Sequence, residues 1–158
     1  MLRKSLFSIL TVFLGIAIAI VFEQGLRQLI QTLFKLSTDN NVYFVGKDFH
    51  LFASLYYYVS PGLLTIVLFF ASSRSTIKQT IINVIIAISI FFSALTMVSY
   101  IDSNGKIAQC TACSDGKRGL NYNEINYDGI TVVSLIIASI PSLIQLIKKR
   151  KSFMSITP

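Results

Sequence analysis

The chain has 158 residues and a mass of 17.6 kDa, which suits one domain better than two. Hydrophobic residues make up 53% of the chain and charged residues 13%, compared with roughly 25% charged residues in soluble domains. A mean hydropathy of +0.67 excludes a soluble globular enzyme and a disordered chain, and it indicates an integral membrane protein. The net charge of +7 would suggest nucleic-acid binding in a soluble protein, so the distribution of that charge along the chain matters.

Four apolar runs predict an all-α integral membrane protein, with four transmembrane helices in one bundle. The runs cover about residues 6–22, 51–71, 81–101 and 130–147, and none of them contains Asp, Glu, Lys, Arg or His. Each is close to the ~20 residues that cross a hydrocarbon core as a helix. The first run could instead be a cleaved signal peptide after Arg3 and Lys4. We expect it to be retained, because it stays apolar through Phe22, where a cleavage region would turn polar.

The basic residues are unevenly distributed between the two sides of the predicted bundle. One side holds no acid and eight bases, which are Arg3, Lys4, Arg74, Lys78, Lys148, Lys149, Arg150 and Lys151. The other side holds six bases and all seven acids. Because basic loops stay on the cytoplasmic side, we expect a bacterial-type inner-membrane protein with both termini, loop 72–80 and tail 148–158 in the cytoplasm. Segments 23–50 and 102–129 would then be outer loops.

The basic excess is therefore a topology signal that also favours anionic lipid headgroups. The expected partners are the lipid bilayer and another membrane or periplasmic protein, and no nucleic acid. Polar and small residues recur at helical spacing in three of the runs, which predicts stripes that face one another, since such residues join helices in lipid. The stripes are Ser54, Tyr58, Pro61 and Thr65; Ser89, Ser93, Thr96 and Tyr100; and Ser134, Ala138, Ser142 and Gln145.

The first outer loop contains two structural signals. Apolar residues between 26 and 34 have the spacing of an amphipathic helix, which either prolongs the first span past Gly25 or lies in the outer interface. Residues 42–46 are rich in strand formers and predict a short hairpin or an aromatic flap on the membrane.

The second outer loop contains the only two cysteines, Cys110 and Cys113, in a C-x-x-C motif. In an oxidising compartment such a pair should form a disulfide. A structural bridge is the favoured interpretation. A redox-active pair, with its thiolate stabilised by Lys117 and Arg118, is the second. Metal binding together with His50 and one acid is the third, and we expect no metal site because no second cysteine pair is present.

A four-span chain of this length with cytoplasmic termini resembles the disulfide-forming quinone reductases of bacterial inner membranes. The resemblance implies a membrane thiol–disulfide oxidoreductase that uses Cys110 and Cys113, with a quinone as cofactor near the outer ends of the helices. Those proteins relay electrons through one cysteine pair in each outer loop, whereas the first outer loop here has no cysteine. The resemblance therefore covers topology only.

The chain also resembles the lipoprotein signal peptidases, which are four-span proteins of similar size. Glu23-x-x-x-Arg27 resembles their acid-to-lysine spacing, and the segment Asn126-Tyr127-Asp128 resembles their second aspartate motif. Asp102 and Asp128 would end the third span and precede the fourth, where two carboxyl groups sharing a proton could hydrolyse a peptide. The Gly-Asn-x-x-Asp-Arg motif of that family's first aspartate is absent, since Asp102 lies in Ile-Asp-Ser-Asn.

The sequence favours a small non-catalytic inner-membrane interaction protein, either an accessory subunit of a membrane complex or an immunity-type protein. No catalytic residue and no cofactor are expected, because the spans lack the ionisable residues of ion carriers and no catalytic constellation is complete. The expected partner-binding residues are Lys117, Arg118, Tyr122 and Tyr127, since tyrosine and the neighbouring asparagines offer the rigid contact area and adaptable hydrogen bonds that suit protein interfaces. The oxidoreductase is the alternative function and the aspartyl peptidase is the third.

Overall fold

The computed structural model describes residues 2–38, 42–45, 54–72, 75–108 and 118–154. These residues are almost entirely helical and form α1 (Leu2–Ser37), α2 (Leu55–Ser72), α3 (Ile77–Ala108) and α4 (Tyr127–Met154). They also contain β1 (Val42–Val45), β2 (Arg118–Asn121) and a 3₁₀ turn at Tyr122–Glu124. All four helices are long and apolar enough to cross a membrane, in agreement with the predicted helical multi-pass class.

Three of the helices are longer than a membrane crossing requires, and α1 and α3 are the longest. At about 1.5 Å per residue, the 36 residues of α1 span about 54 Å and the 32 residues of α3 about 48 Å. A hydrocarbon core is only about 30 Å thick. The predicted amphipathic segment 26–34 continues α1 without a break, so the first of its two alternatives holds. Gly25 costs a helix roughly 1 kcal/mol, but complete burial of Ile30 and Phe34 one and two turns later outweighs that cost.

Neighbouring helices in the sequence run in opposite directions. The start of α1, the connection between α2 and α3, and the end of α4 lie at one end of the bundle, and both strands lie at the other, which we call the cap end. α1 packs mainly on α2, and α4 packs on both α2 and α3. A smaller contact joins α1 to α3, so the helices follow one another around the bundle in the order α1, α2, α4, α3.

A close helix crossing joins α1 to α2 at a glycine. A Cβ atom on Gly15 would lie 2.8 Å from the carbonyl oxygen of Pro61 and 2.9 Å from the Cα atom of Gly62. In the same crossing the Thr65 hydroxyl donates a hydrogen bond of 2.9 Å to the carbonyl of Thr11. Small residues and interhelical hydrogen bonds are the means by which helices pack in lipid, where apolar burial gives no driving force.

The polar stripes are buried on α4 but exposed on α3. Ser134, Ala138 and Ser142 are all buried, as predicted. The inward face of α3 consists of other residues, which are Ala87, Ala94, Leu95, Ser99 and Ser103. The predicted α3 stripe is therefore wrong, and its members Ser89, Ser93, Thr96 and Tyr100 lie on the exposed side. Polar residues recur on two faces of this helix. The face that contains Ala87 and Ala94 packs in the bundle, because alanine allows neighbouring helices to approach more closely.

A hydrophobic core lies at the cap end. Its buried members are Ile30, Phe34, Val42, Leu95, Leu120, Ile125, Tyr127 and Ile130. β1 pairs in parallel with β2, so that Val42 lies opposite Arg118 and Val45 opposite Asn121. The predicted hairpin or flap at residues 42–46 is thus corrected, because the strand pairs with a distant segment and packs on this core. We call residues 26–38, 42–45, 95–103 and 118–130 the cap.

Candidate functional site

Two carboxylates tie the cap end of α2 to its neighbours. Oε2 of Glu23, on α1, accepts a hydrogen bond of 2.7 Å from the Tyr58 hydroxyl. Oδ2 of Asp128, in the first turn of α4, accepts a hydrogen bond of 2.8 Å from the backbone N–H of Ser54, just before α2. A carboxylate at a helix N-terminus also interacts favourably with the helix dipole. Both acids therefore hold α2 in place.

Arg27 lies beside these carboxylates and is almost fully buried, with 8% of its surface exposed. Its guanidinium carbon is 4.3 Å from the centre of the Tyr127 ring. Gln31, one turn further along α1, donates a hydrogen bond of 3.0 Å to the Tyr127 hydroxyl. Glu23 and Asp128 both lie within electrostatic reach of Tyr57. The fold thus brings the Glu23–Arg27 pair and residues 126–128 together. The contacts described for these residues are made with other residues of the same chain.

The two aspartates of the peptidase hypothesis have different surroundings. Asp128 binds the N-terminus of α2, whereas Asp102 lies on α3 one turn beyond Ser99. Oδ2 of Asp102 and Oγ of Ser99 are buried and make no hydrogen bond with the described residues. No hydrogen bond joins the two carboxylates within the described part of the chain. Their action as a proton-sharing pair stays a prediction.

The four predicted partner-binding residues are not equivalent. Tyr127 is 5% exposed, so its ring belongs to the cap core and is not available to a partner in this conformation. Tyr122 is half-buried and stacks on Phe44, with ring centres 5.1 Å apart. Arg118 belongs to β2, but its side chain lies outside the described residues, as does all of Lys117.

The cysteine motif also lies outside the described residues. This applies to Cys110 and Cys113 and to the proposed third metal ligand His50. The structure therefore gives no support for the disulfide, and the structural, redox and metal roles stay predictions. Among the residues that the structure describes, no group of three or more His, Cys, Asp or Glu side chains could hold a metal ion.

One exposed surface of the cap was not predicted from the sequence. Tyr43 and Val45 point away from the cap core and are 52% and 40% exposed. Their partners in β2 are Gly119 and Asn121, so the four residues share one side of the sheet, which we call the sheet face. The Tyr43 ring lies over Gly119, where an added Cβ would be 3.0 Å from the Tyr43 hydroxyl oxygen. Side chains on opposite sides of a strand alternate along residues 42–45, and this alternation was visible in the sequence. The predicted hairpin or flap, however, did not indicate which side of the strand would be covered by the rest of the protein.

No protein-family model matches this chain, and no curated protein or solved structure is significantly similar to it. The polar contacts around Arg27 join α1, α2 and α4 to one another. The sheet face differs, because its aromatic and aliphatic side chains, Tyr43 and Val45, are exposed.

Proposed function

We propose that the protein is a non-catalytic interaction protein of a bacterial-type inner membrane, and that it binds another membrane or extracytoplasmic protein through the sheet face. The proposed topology places both termini and loop 72–80 in the cytoplasm and the cap outside. It is supported by the charge distribution of the sequence, since the segments predicted to be cytoplasmic contain eight basic residues and no acid.

The observation that carries the proposal is the exposure of Tyr43 and Val45 on a strand whose other side is anchored in the cap core. Tyrosine is enriched in protein interfaces, because its ring buries apolar area while its hydroxyl forms a hydrogen bond. A strand in a two-stranded sheet also offers edge N–H and C=O groups with which an extended partner segment can pair. Lys35, whose Nζ atom lies 5.3 Å from the centre of the Phe44 ring, adds a positive charge beside the sheet.

A photocrosslinking experiment tests this proposal in the native membrane. Tyr43 is replaced by the photoreactive residue p-benzoylphenylalanine, and adducts are identified by mass spectrometry after irradiation of intact cells. We expect one predominant protein adduct, whose yield falls at least severalfold when Val45→Ser is added, because the serine removes apolar contact area from the same surface.

Phe92 is the matched control for this experiment. It is an aromatic residue of similar exposure, 48%, but it lies in the middle of α3 and is not part of the sheet face. The same photoreactive residue at position 92 should not give that adduct. Crosslinking of position 43 to lipid alone would contradict the proposal and would make Tyr43 an interfacial membrane anchor. An identical adduct from both positions would also contradict it.

A further inference from the structure

An amide pair joins α3 to α4 in the half of the bundle away from the cap. Nδ2 of Asn83 donates to Oε1 of Gln145, and Nε2 of Gln145 donates to Oδ1 of Asn83, both at 3.2 Å. Each side chain is half-buried and lies in a segment apolar enough to span a membrane. Polar side chains in such segments usually hydrogen-bond across a helix interface. This pair therefore fixes one point of the α3–α4 contact.

A cavity of about 60 Å³ lies beside the amide pair. Its lining consists of Asn83, Ile86, Ala87, Ala138, Pro141, Ser142 and Gln145. Ser142, which lines this cavity, is only 4% exposed, and no hydrogen bond joins its hydroxyl to another described residue. A hydroxyl without a partner in apolar surroundings costs roughly 1–3 kcal/mol. A ligand that can hydrogen-bond inside this cavity would therefore stabilise the serine.

The cavity has the size and the polarity of a water site. Its volume of about 60 Å³ is large enough for a water molecule, since roughly 10–15 Å³ of such free space holds one. The Ser142 hydroxyl can donate once and accept twice, and each amide of the pair keeps one unused N–H and one unused lone pair.

A larger groove elsewhere in the bundle is much less polar than this cavity. It measures about 360 Å³, lies between α2 and α4, and is lined mostly by aliphatic side chains such as Leu63, Val67 and Leu135. Apolar cavities stay dry, whereas a water needs two to four polar partners. Within the described residues, the cavity beside Ser142 combines a small volume with several such partners.

We propose that the α3–α4 cavity binds one or two water molecules, which link the Ser142 hydroxyl to the Asn83–Gln145 amide pair. The water is part of the helix interface and completes hydrogen bonds that side chains alone leave unmade. Its presence depends on neither a partner protein nor the cysteine motif.

Nuclear magnetic resonance of the ¹⁵N-labelled full chain in lipid nanodiscs tests this proposal. We expect cross-relaxation peaks between water and the side-chain amide protons of Asn83 and Gln145, with the sign that distinguishes dipolar contact from proton exchange. In Ser142→Val both peaks should be lost and the melting temperature should fall by several degrees, because the added methyl group displaces water without replacing its hydrogen bonds.

Ser139→Val is the matched control, since its hydroxyl donates within α4 to the carbonyl of Ile136 and does not line this cavity. It should keep both water peaks. Absence of water peaks in the unsubstituted protein would overturn the proposal whether or not the variants fold. A higher melting temperature for Ser142→Val would also overturn it, because filling a dry cavity stabilises a protein.

Discussion

Gly15→Val is expected to destabilise the helix bundle by about 3 kcal/mol, the upper part of the range for side chains forced into packed interiors. The new Cβ would lie 2.8 Å from the carbonyl oxygen of Pro61 and 2.9 Å from the Cα atom of Gly62, and neither backbone atom can rotate away. α1 and α2 must therefore separate. Their separation also stretches the hydrogen bond of 2.9 Å from Thr65 to the carbonyl of Thr11.

The change can be measured by unfolding in increasing mole fractions of sodium dodecyl sulfate, followed by circular dichroism. Gly25→Val is the matched control, because it makes the same substitution in the same helix at a position with no atom within 4 Å of the added Cβ. Valine is a slightly better helix former than glycine, so this control should unfold at or above the original midpoint. Equal midpoints for the two variants would contradict the close α1–α2 crossing.

Phe34→Ala is expected to destabilise the cap by about 3–5 kcal/mol, the usual cost of removing a buried aromatic ring. Phe34 is 0% exposed and packs among residues from both strands and from α1, α3 and α4. Its loss leaves the two strands without the core on which they pair, and a two-stranded sheet is not stable by itself in water. The effect should therefore be concentrated in the cap.

Hydrogen–deuterium exchange with mass spectrometry measures this effect by segment. In Phe34→Ala we expect much faster exchange at residues 42–45 and 118–124, while the middle of each long helix keeps its protection. Leu36→Ala is the control, since Leu36 is two residues away and 68% exposed. Truncation of such an exposed side chain usually changes stability by less than about 0.5 kcal/mol. Unchanged exchange in Phe34→Ala would contradict the cap core.

The number and order of the helices were predictable because they depend on local apolarity. A run such as 81–101 is both long and free of charge, and α3 contains it completely. The helix ends were less predictable. α1 runs to Ser37 and α3 to Ala108, into segments assigned to outer loops, because packing between their ends in the cap stabilises helix beyond the apolar run. One such contact is the 2.6 Å hydrogen bond between the hydroxyls of Ser37 and Ser103.

The sheet and the site were less predictable because they depend on contacts between distant segments. The strand formers at 42–45 were visible in the sequence, but the parallel partner at 118–121 is not a pattern that a single segment contains. Tyr127 was predicted to face a partner. Its burial depends on Arg27 and Gln31, which lie in another helix. The exposed side of β1 follows from the same pairing.

The proposed topology is tested most directly by comparing two introduced cysteines in a Cys110→Ser, Cys113→Ser background. Asn123→Cys lies in the exposed 3₁₀ turn of the cap, and Thr76→Cys lies at the exposed start of α3 at the opposite end. A membrane-impermeant maleimide applied to intact spheroplasts should label position 123 at once and position 76 only after the membrane is permeabilised. Labelling of position 76 in intact spheroplasts, or protection of position 123, would contradict the placement of the cap outside the membrane.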